Sequence, residues 1–465
     1  MRFRTLAEWL AWQDSLHPRT IDLGLERVQR VAATLGVAAC DIPVITVGGT
    51  NGKGSCVAML ESILCAAGYA VGAFTSPHLI RYNERIRIDG LEISDAKLMA
   101  AFERIDAARA EVSLTFFEFN TLAALLAFRE AELDAIVLEV GLGGRLDAVN
   151  VLDADVALLV SVGMDHCDYL GDTLEAIGYE KAGIFRSDRP AVLGSADMPH
   201  SVRTHAQQVG ALLREPGVHY SYSRPENYDA WSWSNARVHY QHLPPPESAS
   251  RAVLGIHQFG NAAAVLAVLE ELRDRLPVSR DAIDNGLRNL DLPGRLQWER
   301  PCREPSDPEW VFDVAHNPDA AQRLADTLTR LPMPFSQGGR QIAVVGILKD
   351  KDAPATVAPL RGIVDRWIAV DLPGPRGLTG FQLREACGAV DDQSWSTAPD
   401  VVAGCKAALA IAGEDDRIVV FGSFHTVGPA LEWFRETGQG DVGMQGDAGM
   451  QGVEGTQGDA GGRRT

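Results

Sequence analysis

The chain has no paired-cysteine motif, no long apolar run and no excess of positive charge. Its seven cysteines (Cys40, Cys56, Cys65, Cys167, Cys302, Cys387, Cys405) are scattered, odd in number and free of any CxxC spacing. That pattern argues against a disulfide framework or a zinc site and favours a reducing cytoplasm. No apolar stretch approaches the roughly 18 residues that a membrane span needs. The first fifteen residues carry Glu8 and Asp14 inside an apolar pattern, as an amphipathic helix does and a signal peptide does not. A net charge of −19 excludes broad attraction to nucleic acid or anionic membrane. It leaves room for an anionic small molecule in a local basic cleft. Segment 440–461 has glycine at every third position but no proline, so disorder is expected there and not a collagen helix.

What is present is an α/β rhythm. A length of 465 residues points to two or three domains. Short apolar runs at 43–47, 71–74, 134–140 and 155–162 read as strands of a mainly parallel sheet, with amphipathic helices expected at 55–67 and 121–131. Residues 214–250, rich in Pro, Trp, Tyr and His, read as an irregular excursion with a small antiparallel piece; a helix is expected at 260–272. Pro293-Gly294, within 290–295, reads as a hinge or linker. Strands then recur at 310–314, 341–345, 366–370 and 417–422. The expected organisation is a phosphate-loop ATPase domain over 1–292, a smaller doubly wound α/β domain over 293–438 and a glycine-rich tail over 439–465.

The sharpest local signal is VITVGGTNGKGSC, residues 44–56. A strand runs into a glycine-rich turn, Thr50-Asn51-Gly52-Lys53-Gly54-Ser55, and a helix follows. Glycines let successive backbone N–H groups face one anion, the helix N-terminus adds positive potential, and Lys53 can reach outer phosphates. The pattern departs from GxxxxGK[ST], because Gly54 separates Lys53 from Ser55; a purely structural glycine turn is the alternative. Glu139 ends an otherwise apolar strand, where an unpaired carboxylate is expensive. His166 follows the next strand, beside Asp165 and Asp168. Strand carboxyl ends gather ligands in open α/β sheets, so both residues should face the phosphate loop.

Eleven further segments complete the pattern in order: TIDLGLERV (20–28), SPHL (76–79), SLTFFEFNTL (113–122), LEVGLGGRLDA (138–148), MDHCDYLG (164–171), EKAGIF (180–185), LPGR (292–295), DVAHNP (313–318), KDKD (349–352), GPRG (374–377) and GSFHTV (422–427). With GTNGKGS, this series resembles the folylpolyglutamate synthase family of the Mur ligase superfamily, in particular its bifunctional bacterial dihydrofolate synthase members, over roughly residues 10–435.

The resemblance implies an ATP-dependent ligase that adds L-glutamate to dihydropteroate and to reduced folates through an acyl phosphate. It assigns ATP to the loop residues and to Asn261, Arg295 and Asp313 for base, phosphate and ribose. Magnesium, in two ions, falls to Ser76, Glu139 and His166, with Lys181 carbamylated as an anionic ligand. Taken singly, these residues also read as a helix-capping serine, a salt-bridged glutamate, a core histidine, a solvated or phosphate-pairing lysine and an inter-domain salt bridge from Arg295. Carbamylation requires a free amine, hence a lysine with a depressed pKa. His316 is a candidate proton acceptor or positioner, and Ser423 and His425 are candidates for the incoming glutamate. A pterin pocket is expected from Ile21, Asp22, Leu23, Thr115, Phe116, Phe117, Leu146 and Asp147, with Phe119 as a further wall residue. Any one of these phenylalanines equally suits a core position. The expected protein is a cytoplasmic monomer of small-molecule metabolism. A single-activity folylpolyglutamate synthase, a peptidoglycan-precursor Mur ligase and a non-catalytic nucleotide switch are the alternatives.

Overall fold

Unbroken aliphatic and β-branched runs form the central strands, and every residue of Val44–Gly48, Ala135–Glu139 and Val156–Leu159 is buried. Such strands are covered by helices on both faces. The computed structural model describes residues 2–223, 230–246, 255, 257–299, 307–330 and 338–437. The first sheet contains β1 (Val44–Gly48), β2 (Val71–Phe74), β3 (Ile86–Ile88), β4 (Leu91–Glu92), β5 (Ala135–Glu139), β6 (Val156–Leu159), β7 (Pro190–Leu193) and β8 (Leu212–Arg214). Their spatial order is β4-β3-β2-β5-β1-β6-β7-β8. The β2-to-β8 pairings are parallel, and β3 and β4 add an antiparallel edge. Separate apolar clusters fill its two faces.

The aromatic excursion is more ordered than its composition suggests. β9 (Tyr220–Ser223), β10 (Trp231–Asn235) and β11 (His239–Leu243) form a three-stranded antiparallel sheet. Trp231 and Trp233 turn inward against the helix His257–Glu271, where the Trp233 indole N–H donates to the Ala263 carbonyl at 2.9 Å. The first-domain helices also start earlier than expected. The helix Phe116–Glu130 begins five residues before 121, with Thr115 as its N-cap and Glu118 completing a reciprocal capping box. Periodicity hid this start because residues 118–128 are buried without interruption, leaving no polar face to mark the turn.

A second sheet follows the Pro293-Gly294 segment. β12 (Gln297–Glu299), β13 (Glu309–Asp313), β14 (Gln341–Val345), β15 (Arg366–Val370), β16 (Trp395–Ala398) and β17 (Arg417–Phe421) lie in the order β12-β13-β17-β14-β15-β16. All pairings but β12–β13 are parallel, and apolar clusters again cover both faces. The glycine-repeat tail lies outside the described residues. What matters for function is which edges meet. Residues just beyond β1, β5 and β6 line the same cavities as residues just beyond β13, β14 and β17.

Candidate active site

β1 ends at Gly48, and the chain turns through residues 49–52 before the helix Lys53–Ala66 begins. Gly52 holds φ at +89°, and a Cβ there would stand 2.8 Å from Val160 Cγ1. Both the conformation and the space demand glycine. Thr50 ties the loop to the segment following β6, exchanging hydrogen bonds with the Gly163 carbonyl and amide at 3.2 and 3.0 Å. Asn51 is held by Ser161, whose hydroxyl accepts from the Asn51 amide. The Lys53 ammonium folds back onto the carbonyls of Gly49 and Thr50, at 2.9 and 3.2 Å. Burial pulls its pKa down, opposed chiefly by Glu139.

Three cavities lie in a row along this edge. The middle one, about 130 Å³, is lined by the whole 49–54 loop together with Ser76, Glu139, Asp165, His166, Lys181, Arg295 and His316. On one side is a cavity of about 60 Å³ between Ser55, His257 and Gln258 of the first domain and Asp313, Ala320 and Arg323 of the second. On the other is the largest, about 320 Å³, with walls that include Ile21, Asp22, Leu23, Thr115, Phe117, Leu146, Asp147, Ser423 and His425. His316 lines all three.

The middle cavity suits an anion and a cation together. Arg295 is half-buried with its guanidinium 5.2 Å over the Phe424 ring, and it has no ion-pair partner among the described residues. Glu139 is buried. Burial raises its carboxyl pKa, with Lys53 opposing. Its Oε2 accepts from the Ser76 amide at 3.1 Å, and it likewise makes no ion pair among the described residues, which removes the salt-bridge alternative. Burial holds the His166 pKa down at about 4, so the imidazole is neutral, as metal ligation requires. The described residues contain no cluster of three or more His, Cys, Asp or Glu able to hold a metal. The donor set here is mixed instead: one carboxylate, one neutral imidazole and the Ser76 hydroxyl. It fits a hard divalent cation that completes its shell with water and phosphate oxygens. Lys181 donates to the Gly49 carbonyl at 3.1 Å, and burial, then Lys53, lowers its pKa to about 7.

The structure redistributes several expected residues. Asn261 stands behind the smallest cavity, donating to Gln258 at 2.8 Å, while Gln258 in turn reaches the Ser55 hydroxyl. Asp313 spends its carboxylate on the amides of Leu296 and Ala315, at 2.9 and 2.8 Å. Asp147 accepts from the Leu142 and Val149 amides, and burial pushes its pKa up to about 7. Asp22 is engaged by Arg27 at 2.8 Å and by His17 at 3.1 Å. The Ser423 hydroxyl sits 2.7 Å from that of Thr426. Only Phe117 of the three phenylalanines lines the large cavity. Phe119 is fully buried in the core. Phe116 stands aside, packed under the Arg85 guanidinium and against Tyr82. Asp168 is exposed in the short helix after His166.

Residues beyond the expected set also converge here. Lys351, from the KDKD segment, places its ammonium 2.5 Å from Asp165. Burial raises the Asp165 pKa, but Lys351, His166 and His316 outweigh it and hold the carboxyl well below the usual range. Asn317 bonds to Asn51, and buried Arg85 lines the large cavity. The KDKD, DVAHNP and arginine-rich segments contained these residues, but side-chain direction across the cleft has no sequence signature.

Fold and cleft define a Mur-type ligase. The Mur ligase middle domain matches residues 47–269, and the Mur ligase glutamate ligase domain matches residues 294–424. Within that class the chain belongs to the dihydrofolate synthase/folylpolyglutamate synthase family. It is 46% identical over 427 residues to the dihydrofolate synthase/folylpolyglutamate synthase of Escherichia coli (strain K12), covering 92% of this chain and 95% of that protein. The Haemophilus influenzae relative of the same name is 40% identical over 434 residues, covering 91% and 96%. Among solved structures, E. coli FolC in complex with DHPP and ADP superimposes with a TM-score of 0.85 at 45% identity, over 93% of this chain and 98% of that one. A bifunctional folylpolyglutamate synthase/dihydrofolate synthase with Mn, AMPPNP and L-glutamate bound gives 0.82 at 42%, with the same coverage.

Proposed function

We propose that the chain adds L-glutamate to dihydropteroate, forming dihydrofolate, and to reduced folates, forming polyglutamates, with ATP cleaved to ADP and phosphate. The observation that carries this is the single wall His316 provides to three adjoining cavities. The smallest takes the base and ribose of ATP, beside Ser55, Gln258 and Asp313, with Asn261 behind. The middle one takes the phosphates, on the 50–55 loop. The largest takes the pterin and its carboxylate tail. The γ-phosphate and the acceptor carboxylate then meet where Ser76, His166 and His316 line both larger cavities.

The acceptor carboxylate attacks the γ-phosphorus, the bond to ADP breaks and an acyl phosphate forms. Lys53 and Arg295 answer the charge that spreads over the transferred group. Magnesium, bound through Ser76, Glu139 and His166, and through Lys181 as its carbamate, would supply further positive charge against the phosphate oxygens. The glutamate amine, held near Ser423 and His425, attacks the activated carbonyl and phosphate leaves. His316 donates through Nδ1 to the Val314 carbonyl at 2.8 Å, which leaves Nε2 without a proton and able to accept one. With burial, then Lys351, lowering its pKa to about 4, it orients the amine, accepts its proton and passes that proton to the leaving phosphate. Closing the cleft keeps water from the acyl phosphate.

We read the protein as a monomer. We place the domain division at 292/293 and the protein in the cytoplasm, where its six described cysteines stay free. The test is ADP release with dihydropteroate, tetrahydrofolate and a UDP-muramyl acceptor in parallel, each with and without glutamate. Release only with a pterin acceptor plus glutamate is expected. Release with the muramyl acceptor alone, or with none, overturns the reading.

A further inference from the structure

The carboxylate of Asp165, on the loop after β6, is a point where the two domains hold each other. Lys351 Nζ lies 2.5 Å from its Oδ1. Asn317 Nδ2 donates toward Oδ2 at 3.5 Å, and His316 Nε2 stands 3.8 Å away. These three side chains belong to the second domain. From the first, His166 adds its backbone N–H, donating to Oδ1 at 2.8 Å, and its ring at 3.9 Å. The Lys351 and Asp165 side chains keep only 8% and 10% of their exposure, so the pair is largely sealed from water.

We infer that Lys351 is a positioning residue for ligation: it grips Asp165 across the cleft and so holds the second domain, with His316, over the reacting carboxylate. This rests on the ligase reading of the three cavities. The loop carrying Lys351 is built to hold still. The Lys349 amide donates to the Arg376 carbonyl at 2.8 Å and its ammonium to the Pro375 carbonyl at 3.1 Å. Asp350 pairs with Arg376 at 2.9 Å, and Asp352 caps the helix Ala353–Val357. Lys349, Asp350 and Asp352 thus bond within their own domain, while Lys351 reaches across to Asp165.

The physics suits a latch and not a weld. In a closed cleft, desolvating both charges roughly offsets their attraction, whereas removing one partner strands the other. Opening rehydrates both, so the pair biases closure without trapping product. A chain lacking Lys351 should close poorly and expose the acyl phosphate to water.

The test uses the full-length protein, its Lys351→Met, Lys351→Arg and Asp165→Asn variants and the double variant Asp165→Asn/Lys351→Met. Small-angle scattering with and without AMPPNP and magnesium reads closure without any turnover. The ratio of ADP released to amide formed reads coupling, and thermal unfolding checks the fold. Wild type should contract on nucleotide and give about equal ADP and amide. Lys351→Met should fail to contract, lose about tenfold or more in kcat with little change in AMPPNP Kd, and release ADP in excess over amide. Lys351→Arg should recover most of the coupling, and the double variant should be no worse than Lys351→Met alone. Normal contraction with normal coupling in Lys351→Met overturns the latch. So does a loss confined to AMPPNP Kd, or multiplicative losses in the double variant. Should wild type form no amide, the ligase reading falls, while scattering still decides the latch.

Discussion

Asn51 and Asn317 exchange two side-chain hydrogen bonds across the domain boundary, at 3.3 and 3.0 Å. One amide comes from the glycine loop of the first domain and the other from the DVAHNP segment of the second. Asn317 also accepts from the Ala320 amide at 2.9 Å, anchoring the start of the helix Pro318–Arg330. The glycine loop and the second domain are thus contacted by the same side chain.

Asn317→Ala should remove the cross-domain pair and the helix anchor together, costing about 1–3 kcal/mol by chemical denaturation. Asn317→Asp separates the two roles. It keeps the acceptor for Ala320 but sets a second carboxylate beside Asp165. Its unfolding midpoint should stay near wild type while kcat falls. Equal loss in both properties would show that Asn317 acts only through stability.

Lys53→Ala should abolish ligation, by about 10²–10³-fold or more, without unfolding the protein. The lysine contacts loop carbonyls and not core side chains, so the melting temperature should barely move. Near-normal turnover in a folded variant would remove Lys53 from phosphate binding.

Lys181 carries a pH signature. Its folded pKa, lowered from 10.5 to about 7, lies below that of the unfolded chain. The unfolded state therefore binds more protons between these values, and stability contributed through this group rises as pH climbs from about 7 toward 10.5. Lys181→Met should flatten that rise in a pH series of denaturation curves. Lys181→Ala should impair activity that bicarbonate cannot restore, while a small carboxylic acid restores part of it by replacing the carbamate. In wild type, labelled bicarbonate should give a carbamate carbon signal by NMR that Lys181→Ala lacks; no such signal would remove the carbamate ligand.

Asp22→Ala and Phe117→Ala should weaken dihydropteroate use more than use of a longer, glutamylated folate. Phe117 lines the large cavity directly. Asp22 also acts through Arg27, which bridges Asp22 to Glu118 at 2.8 and 3.2 Å and ties the 20–24 wall to the helix Phe116–Glu130. Arg27→Ala should therefore mimic Asp22→Ala, raising KM for dihydropteroate with little change in KM for ATP. Equal losses for both acceptors would indicate one shared pterin position.

The strand–glycine turn–helix at 44–66 and the carboxyl-end placement of Glu139, His166, Asp313 and Ser423 were determined by the sequence itself. Glycines, apolar strand runs and helix starts are local signals, and parallel strands bring their following residues to one edge whatever the rest of the chain does. Which side chains meet across the cleft was decided only by tertiary structure. Phe116, Phe117 and Phe119 are near neighbours in sequence, yet a helix start at Phe116 sends one under Arg85, one into the cavity and one into the core. Lys351 and Asp165 stand 186 residues apart. No spacing rule links them, because their contact is set by how two separately packed sheets face each other, and that geometry comes from the cores and the Pro293-Gly294 segment and not from either residue's neighbours.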